Sequence, residues 1–199
     1  MFTPRELALE RGWPGRIQGD WVVQLAAQTL EAFFSGGGKA REHNIYPLSD
    51  VALRAPVLRP PSIRLFRDAS TFEFGNTASI FGSDDEVHPP SPAEARFCVA
   101  AVIGGEERIA GYTLVNDWNA PSLAPPKNSD FATTLGPWIE TAHEPEFDFA
   151  GARDIAARNT RLRAGDLLVA PPFASAVPEA SVDGLGTLQA STSAAPPAS

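Results

Sequence analysis

The sequence predicts an α+β fold that is mostly β, with short helices between strands. Three observations predict it. A Gly-Asp turn sits between two apolar stretches near residue 19, and a strict apolar alternation runs through residues 95–103 and is returned by a second run at 109–115. Glycine and proline clusters at 36–38, 60–61 and 121–126 cut the chain into short elements. Apolar residues make up 43% and charged residues 20% of the 199, so a core can be buried, and this length fits one core domain with appendages.

In chain order, Arg16 to Leu25 reads as a hairpin turning at Gly19-Asp20. Ala26, Leu30, Phe33 and Phe34 recur at helical spacing, and Gly36-Gly37-Gly38 stops that helix. Asp50 to Leu58 reads as a strand that ends at Pro60-Pro61, where fixed φ and missing amide donors break regular structure. Residues 1–60 thus form a hairpin and helix region, and 61–173 the core. In the core Ala95, Phe97, Val99, Ala101 and Ile103 alternate with Arg96, Cys98, Ala100 and Val102. Gly104 to Glu107 turns the chain and Ile109 to Val115 returns it. Pro121, Pro125 and Pro126 make 119–130 a loop of the length that often carries function. It leads to a strand over 131–138, a short helix over 149–158 and a turn and strand over 162–169. Residues 174–199 are rich in Ala, Ser and Pro with only Glu179 and Asp183 charged, which predicts a disordered tail.

A net charge of -8 and a pI near 4.9 argue against nucleic acid as a partner, because phosphate binding needs a basic surface. Cys98 is the single cysteine, so neither an internal disulfide nor a thiolate metal cluster can form. No run reaches the length of a membrane span, and Met1 to Glu6 lacks a basic segment followed by an apolar one. The expectation is a cytoplasmic protein with no membrane partner. His43, His88 and His143 lie in polar loop contexts without ligand spacing, and Asp84-Asp85-Glu86 reads as a solvated turn. Gly36-Gly37-Gly38-Lys39 ends a helix rather than opening one, so it lacks the frame of a phosphate-binding loop.

Several ordered stretches carry a resemblance. They are Arg59 to Asp68, Phe74-Gly75-Asn76 with Phe81-Gly82, Val99 to Gly104, Gly111-Tyr112-Thr113-Leu114-Val115-Asn116-Asp117-Trp118, Asp130 to Trp138, and Asn159 to Asp166. Together they resemble the fumarylacetoacetate hydrolase family over roughly residues 12–170. The resemblance implies a mixed β-roll of the fumarylacetoacetase-like C-terminal type, a homodimer, and a small organic acid as substrate. It also implies Mg²⁺ or Mn²⁺, held by an Asp, a Glu-x-Glu pair and a second Asp, that polarises a 2-oxo or 1,3-dicarbonyl acid for carbon–carbon cleavage, decarboxylation or isomerisation.

Carried over residue by residue, the family's two aspartates fall on Asp68 and Asp117, the implied metal ligands. The Glu-x-Glu pair falls on Arg96 and Cys98, and the catalytic lysine position on Ser129. Lys127, two residues before it, and Thr133 are the candidate catalytic residues, with Thr133 also a donor to a substrate carboxylate. Arg96 puts a fixed cation where a dication would sit, and two unit charges ~4 Å apart repel by about 4 kcal/mol at an effective dielectric near 20, twice that for a dication. Arg96 is therefore either an anion binder or the partner of Asp68 or Asp117 in an ion pair. Two functions stay open: a metal-dependent hydrolase or isomerase of impaired activity, and a catalytically silent relative that binds an anion or serves as a partner subunit.

Overall fold

Period-two patterning builds the N-terminal region first. The structure, a computed structural model, describes residues 1–7, 9, 11–142 and 145–193. After β1 (Phe2–Pro4), the expected hairpin forms from β2 (Gly15–Gln18) and β3 (Trp21–Leu25), with Gly19 in the left-handed region at φ 56°. Gly15 tolerates no side chain, since a Cβ there would stand 2.7 Å from the Phe2 ring. The helix α1 (Leu30–Ser35) starts four residues later than the spacing predicts, because the Thr29 hydroxyl accepts the Ala32 amide at 3.1 Å and caps it. Strand β4 (Glu42–Pro47) completes a three-stranded sheet on β3. The strand expected over Asp50–Leu58 is only β5 (Val51–Leu53), paired with β1; Pro56 has no amide to continue a ladder.

The core is one eight-stranded mixed sheet. Its strands are β6 (Ile63–Phe66), β7 (Phe72–Phe74), β8 (Ile80–Gly82), β9 (Arg96–Ile103), β10 (Ile109–Asp117), β11 (Thr133–Glu140), β12 (Leu167–Val169) and β13 (Ala174–Ser175). The order is β7-β6-β12-β9-β10-β11-β8, with β13 also on β9. Only the pairs β6 with β12 and β8 with β11 are parallel. The alternating run becomes β9, and the sheet curls into a half-barrel. Phe97, Val99, Ala101 and Ile103 pack with Leu114, Trp118 and the buried face of α2 (Phe149–Ala157), while Cys98, Ala100 and Val102 pack with Val115, Leu135, Leu167 and Val169 on the other face. This two-sided burial explains why β9 carries no polar face beyond its first residue.

The predicted disorder of residues 174–199 is corrected for 174–193. Ala174 and Ser175 pair with Phe97 and Arg96, and β14 (Glu179–Val182) and β15 (Gly186–Gln189) form a hairpin whose Leu185 and Leu188 are fully buried. Average composition hides these apolar anchors. Beyond the hairpin, the Val87 amide bonds the Ser191 carbonyl at 3.1 Å and Ser193 returns a bond to Val87. Residues 194–199 lie outside the described residues. A buried pair underpins the sheet: Arg64 sits 3.5 Å from Asp166, and the Ser62 hydroxyl donates to Asp166 at 2.7 Å. No helix among the described residues is long and apolar enough to cross a membrane.

Candidate functional site

Antiparallel pairing decides the site. Because β9 begins at Arg96 and β10 ends at Asp117, the two side chains meet at one end of the sheet. Asn116 Oδ1 accepts the Arg96 amide at 2.9 Å, Arg96 Nε donates to the Asp117 carbonyl at 3.1 Å, and Nη2 donates to Asp117 Oδ2 at 2.5 Å. Among the described residues Nη1 has no hydrogen-bond partner, and the Arg96 side chain keeps 20% of its surface exposed. Asp117 is buried at 4% exposure, and burial pushes its carboxyl above the usual range despite the pull of Arg96 and Arg67. Thr133, also buried, stands opposite Asp117 in β11.

Cys98 lies two residues along the same face, its thiol 3.6 Å from the Arg96 carbonyl. Burial, then the Asp117 charge, push this thiol up to about 12, so it stays protonated near neutral pH and is a poor nucleophile. Two charges that the sequence reading passed over complete the cluster. Arg67 Nη2 reaches Glu73 Oε2 at 2.6 Å, and the hydrogen bond to Glu73, then the Glu73 charge and after it that of Asp117, raise the Arg67 pKa above its ordinary value against the cost of burial. The Glu73 carboxyl is lowered by Arg67 and, more weakly, by Arg96. Glu73, Arg67, Asp117 and Arg96 thus alternate in sign at this end of the sheet. The period-two spacing of Ile63, Leu65 and Arg67 was the available signal.

The other candidates stand apart. Asp68 Oδ1 accepts the Ser70 amide at 2.7 Å, the Ser70 hydroxyl at 2.8 Å and the Thr71 amide at 2.9 Å, while Oδ2 accepts the Thr71 hydroxyl at 2.7 Å. These bonds hold its carboxyl down to about 2, and both oxygens are spent on their own turn. Lys127 is exposed and pairs with Asp130 at 2.7 Å. Asp85, read as a solvated turn, instead pairs with Arg54 at 2.6 Å, and Asp84 accepts the Leu53 amide, so this segment ties the N-terminal strands to the core. His43 is exposed, His88 Nδ1 lies 2.5 Å from the Ser193 hydroxyl, and His143 falls outside the described residues.

This donor set does not fit a divalent cation. One carboxylate, Asp117, is already engaged by a guanidinium, the neighbouring group is a thiol rather than the oxygen donor a hard cation takes, and Asp68 faces its own turn. Among the described residues no three His, Cys, Asp or Glu side chains converge as a metal would require.

No family model matches the chain, and no curated protein matches it significantly. Solved structures do, and they define its class: the chain has the fumarylacetoacetate-hydrolase-like fold that the sequence resemblance implied. Maleylpyruvate hydrolase from Sphingobium sp. SYK-6, in complex with manganese(II) and pyruvate, superposes with a TM-score of 0.74 at 17% identity, covering 98% of this chain and 100% of that one. A 2-hydroxyhepta-2,4-diene-1,7-dioate isomerase from Mycobacterium marinum gives a TM-score of 0.71 at 19% identity over 90% and 92% of the two chains. A 2-keto-3-deoxy-D-arabinonate dehydratase complexed with magnesium and 2,5-dioxopentanoate gives 0.71 at 14% identity over 96% of each.

Proposed function

We propose that this protein binds a small 2-oxo acid at the mouth of the curled sheet through fixed guanidinium charge, without a divalent metal, and is silent in metal-assisted carbon–carbon cleavage. The observation that carries the reading is the hold of Arg96 on Asp117. The guanidinium stands on the carboxylate that the family resemblance gives to a cation, and its Nη1 remains free among the described residues for a ligand carboxylate. Thr133, across from Asp117, offers a hydroxyl to the same ligand, and Arg67 lies close by with its charge shared with Glu73. The Asp117 charge and the net charge of -8 keep affinity modest, so millimolar binding is in scale.

A metal-dependent hydrolase, isomerase or dehydratase is the second reading. Proteins of similar fold are known in complex with manganese and pyruvate or with magnesium and 2,5-dioxopentanoate, which favours it. Calorimetry separates the two. In EDTA, pyruvate is expected to bind saturably and to lose about tenfold or more in affinity in Arg96→Gln, the loss of a charge-assisted bond, while Mn²⁺ titrated in chelator-free buffer gives no saturable heat. Saturable Mn²⁺ binding removed by Asp117→Asn would establish the second reading instead.

A further inference from the structure

A cavity of about 850 Å³ opens between the N-terminal region and the end of β11, and none of its lining residues belongs to the Arg96 cluster. Phe2, Val22, Phe33, Phe34, Trp138 and Ile139 supply an apolar, largely aromatic wall. The volume is in the range of small-molecule sites, which combine such walls with a few polar groups at defined places. Trp138 is fixed in that wall: its Nε1 donates to the Gly184 carbonyl at 3.1 Å, and a Cβ on Gly186 would stand 2.7 Å from its ring.

Four charged side chains line the cavity, and three are committed. Arg16 pairs with Glu42, and Glu140 Oε1 accepts the Thr141 and Ala142 amides at 2.7 and 2.8 Å. Lys39, exposed beside Gly37 and Gly38, has no acidic partner among the described residues. A chamber with one apolar wall and one uncommitted ammonium at its rim suits an apolar body with a single anionic head. We propose that this cavity is a second binding site, separate from the sheet mouth, for an aryl carboxylate whose rings lie against Trp138 and the phenylalanines and whose carboxylate meets Lys39.

The probe is 2-naphthoate, with its uncharged analogue 2-acetylnaphthalene, titrated into the full chain and followed by tryptophan fluorescence and calorimetry. The expected result is saturable 2-naphthoate binding with a Kd below about 1 mM, with a quench that disappears in Trp138→Phe and no displacement by pyruvate. Ala40→Trp, which fills the chamber from its lining, is expected to weaken both probes about tenfold or more. Lys39→Glu, on an exposed and irregular segment that leaves the fold intact, is expected to weaken 2-naphthoate about three- to fivefold and leave the ketone unchanged. Absence of saturable binding, displacement by pyruvate, affinity unchanged in Ala40→Trp, or an equal effect of Lys39→Glu on both probes overturns the proposal. A failure of pyruvate binding at Arg96 leaves all these outcomes readable.

Discussion

At the scale of the residue, the decisive fact is a cation among buried groups. Removing one member of a buried pair leaves the other charge uncompensated, so Arg96→Leu is expected to cost about 3–5 kcal/mol in urea unfolding at neutral pH, with most of it recovered in the double variant carrying Asp117→Asn. The carboxyl of Asp117 has a folded pKa above its ordinary 3.8, so the fold takes up that proton before the unfolded chain does. Its contribution is therefore most favourable below pH 3.8 and declines as pH rises through the raised value. The stability difference between the wild-type chain and Asp117→Asn, measured across that window, should fall with pH. Cys98 follows the same rule higher up: stability declines between pH 9 and about 12, and Cys98→Ala removes that slope. At pH 8 the thiol should resist a disulfide reagent until urea is added. The family resemblance drew attention to Arg96, Cys98 and Asp117, whereas the bonds that turn Asp68 onto Ser70 and Thr71 are local geometry that a motif match does not encode.

Elements were legible where one period dominates. The β9–β10 hairpin and α2 emerge from alternation and helical spacing because both bury what the pattern marks as apolar. The residues from 174 to 193 were not, since sparse leucines among Ala, Ser and Pro leave no periodic signal, yet Leu185 and Leu188 anchor a hairpin in the main core. Leu185→Ala and Leu188→Ala are each expected to destabilise by about 2–5 kcal/mol in chemical denaturation, as deleting a fully buried leucine does; a disordered segment would show no change. A short strand such as β5 depends on a partner far along the chain, β1, and no local propensity fixes its ends.

Across the whole molecule, an N-terminal pair of small sheets, a curled eight-stranded sheet and a C-terminal hairpin share contacts rather than standing alone. Deleting residues 174–199 should therefore lower the thermal midpoint and increase binding of a hydrophobic dye, because Leu185, Leu188 and the cover they give the core would be lost. One proposed ligand site lies at the Arg96 end of the sheet and the other where the N-terminal region meets β11. The parallel pairing of Ile63 with Leu167 has a consequence during synthesis. A ribosome adding about 5–20 residues per second needs about 5–20 s to deliver the second strand after the first. Throughout that interval the nascent chain holds one flank of Ile63 to Phe66 open, and that flank is where a chaperone would find an unpaired strand edge.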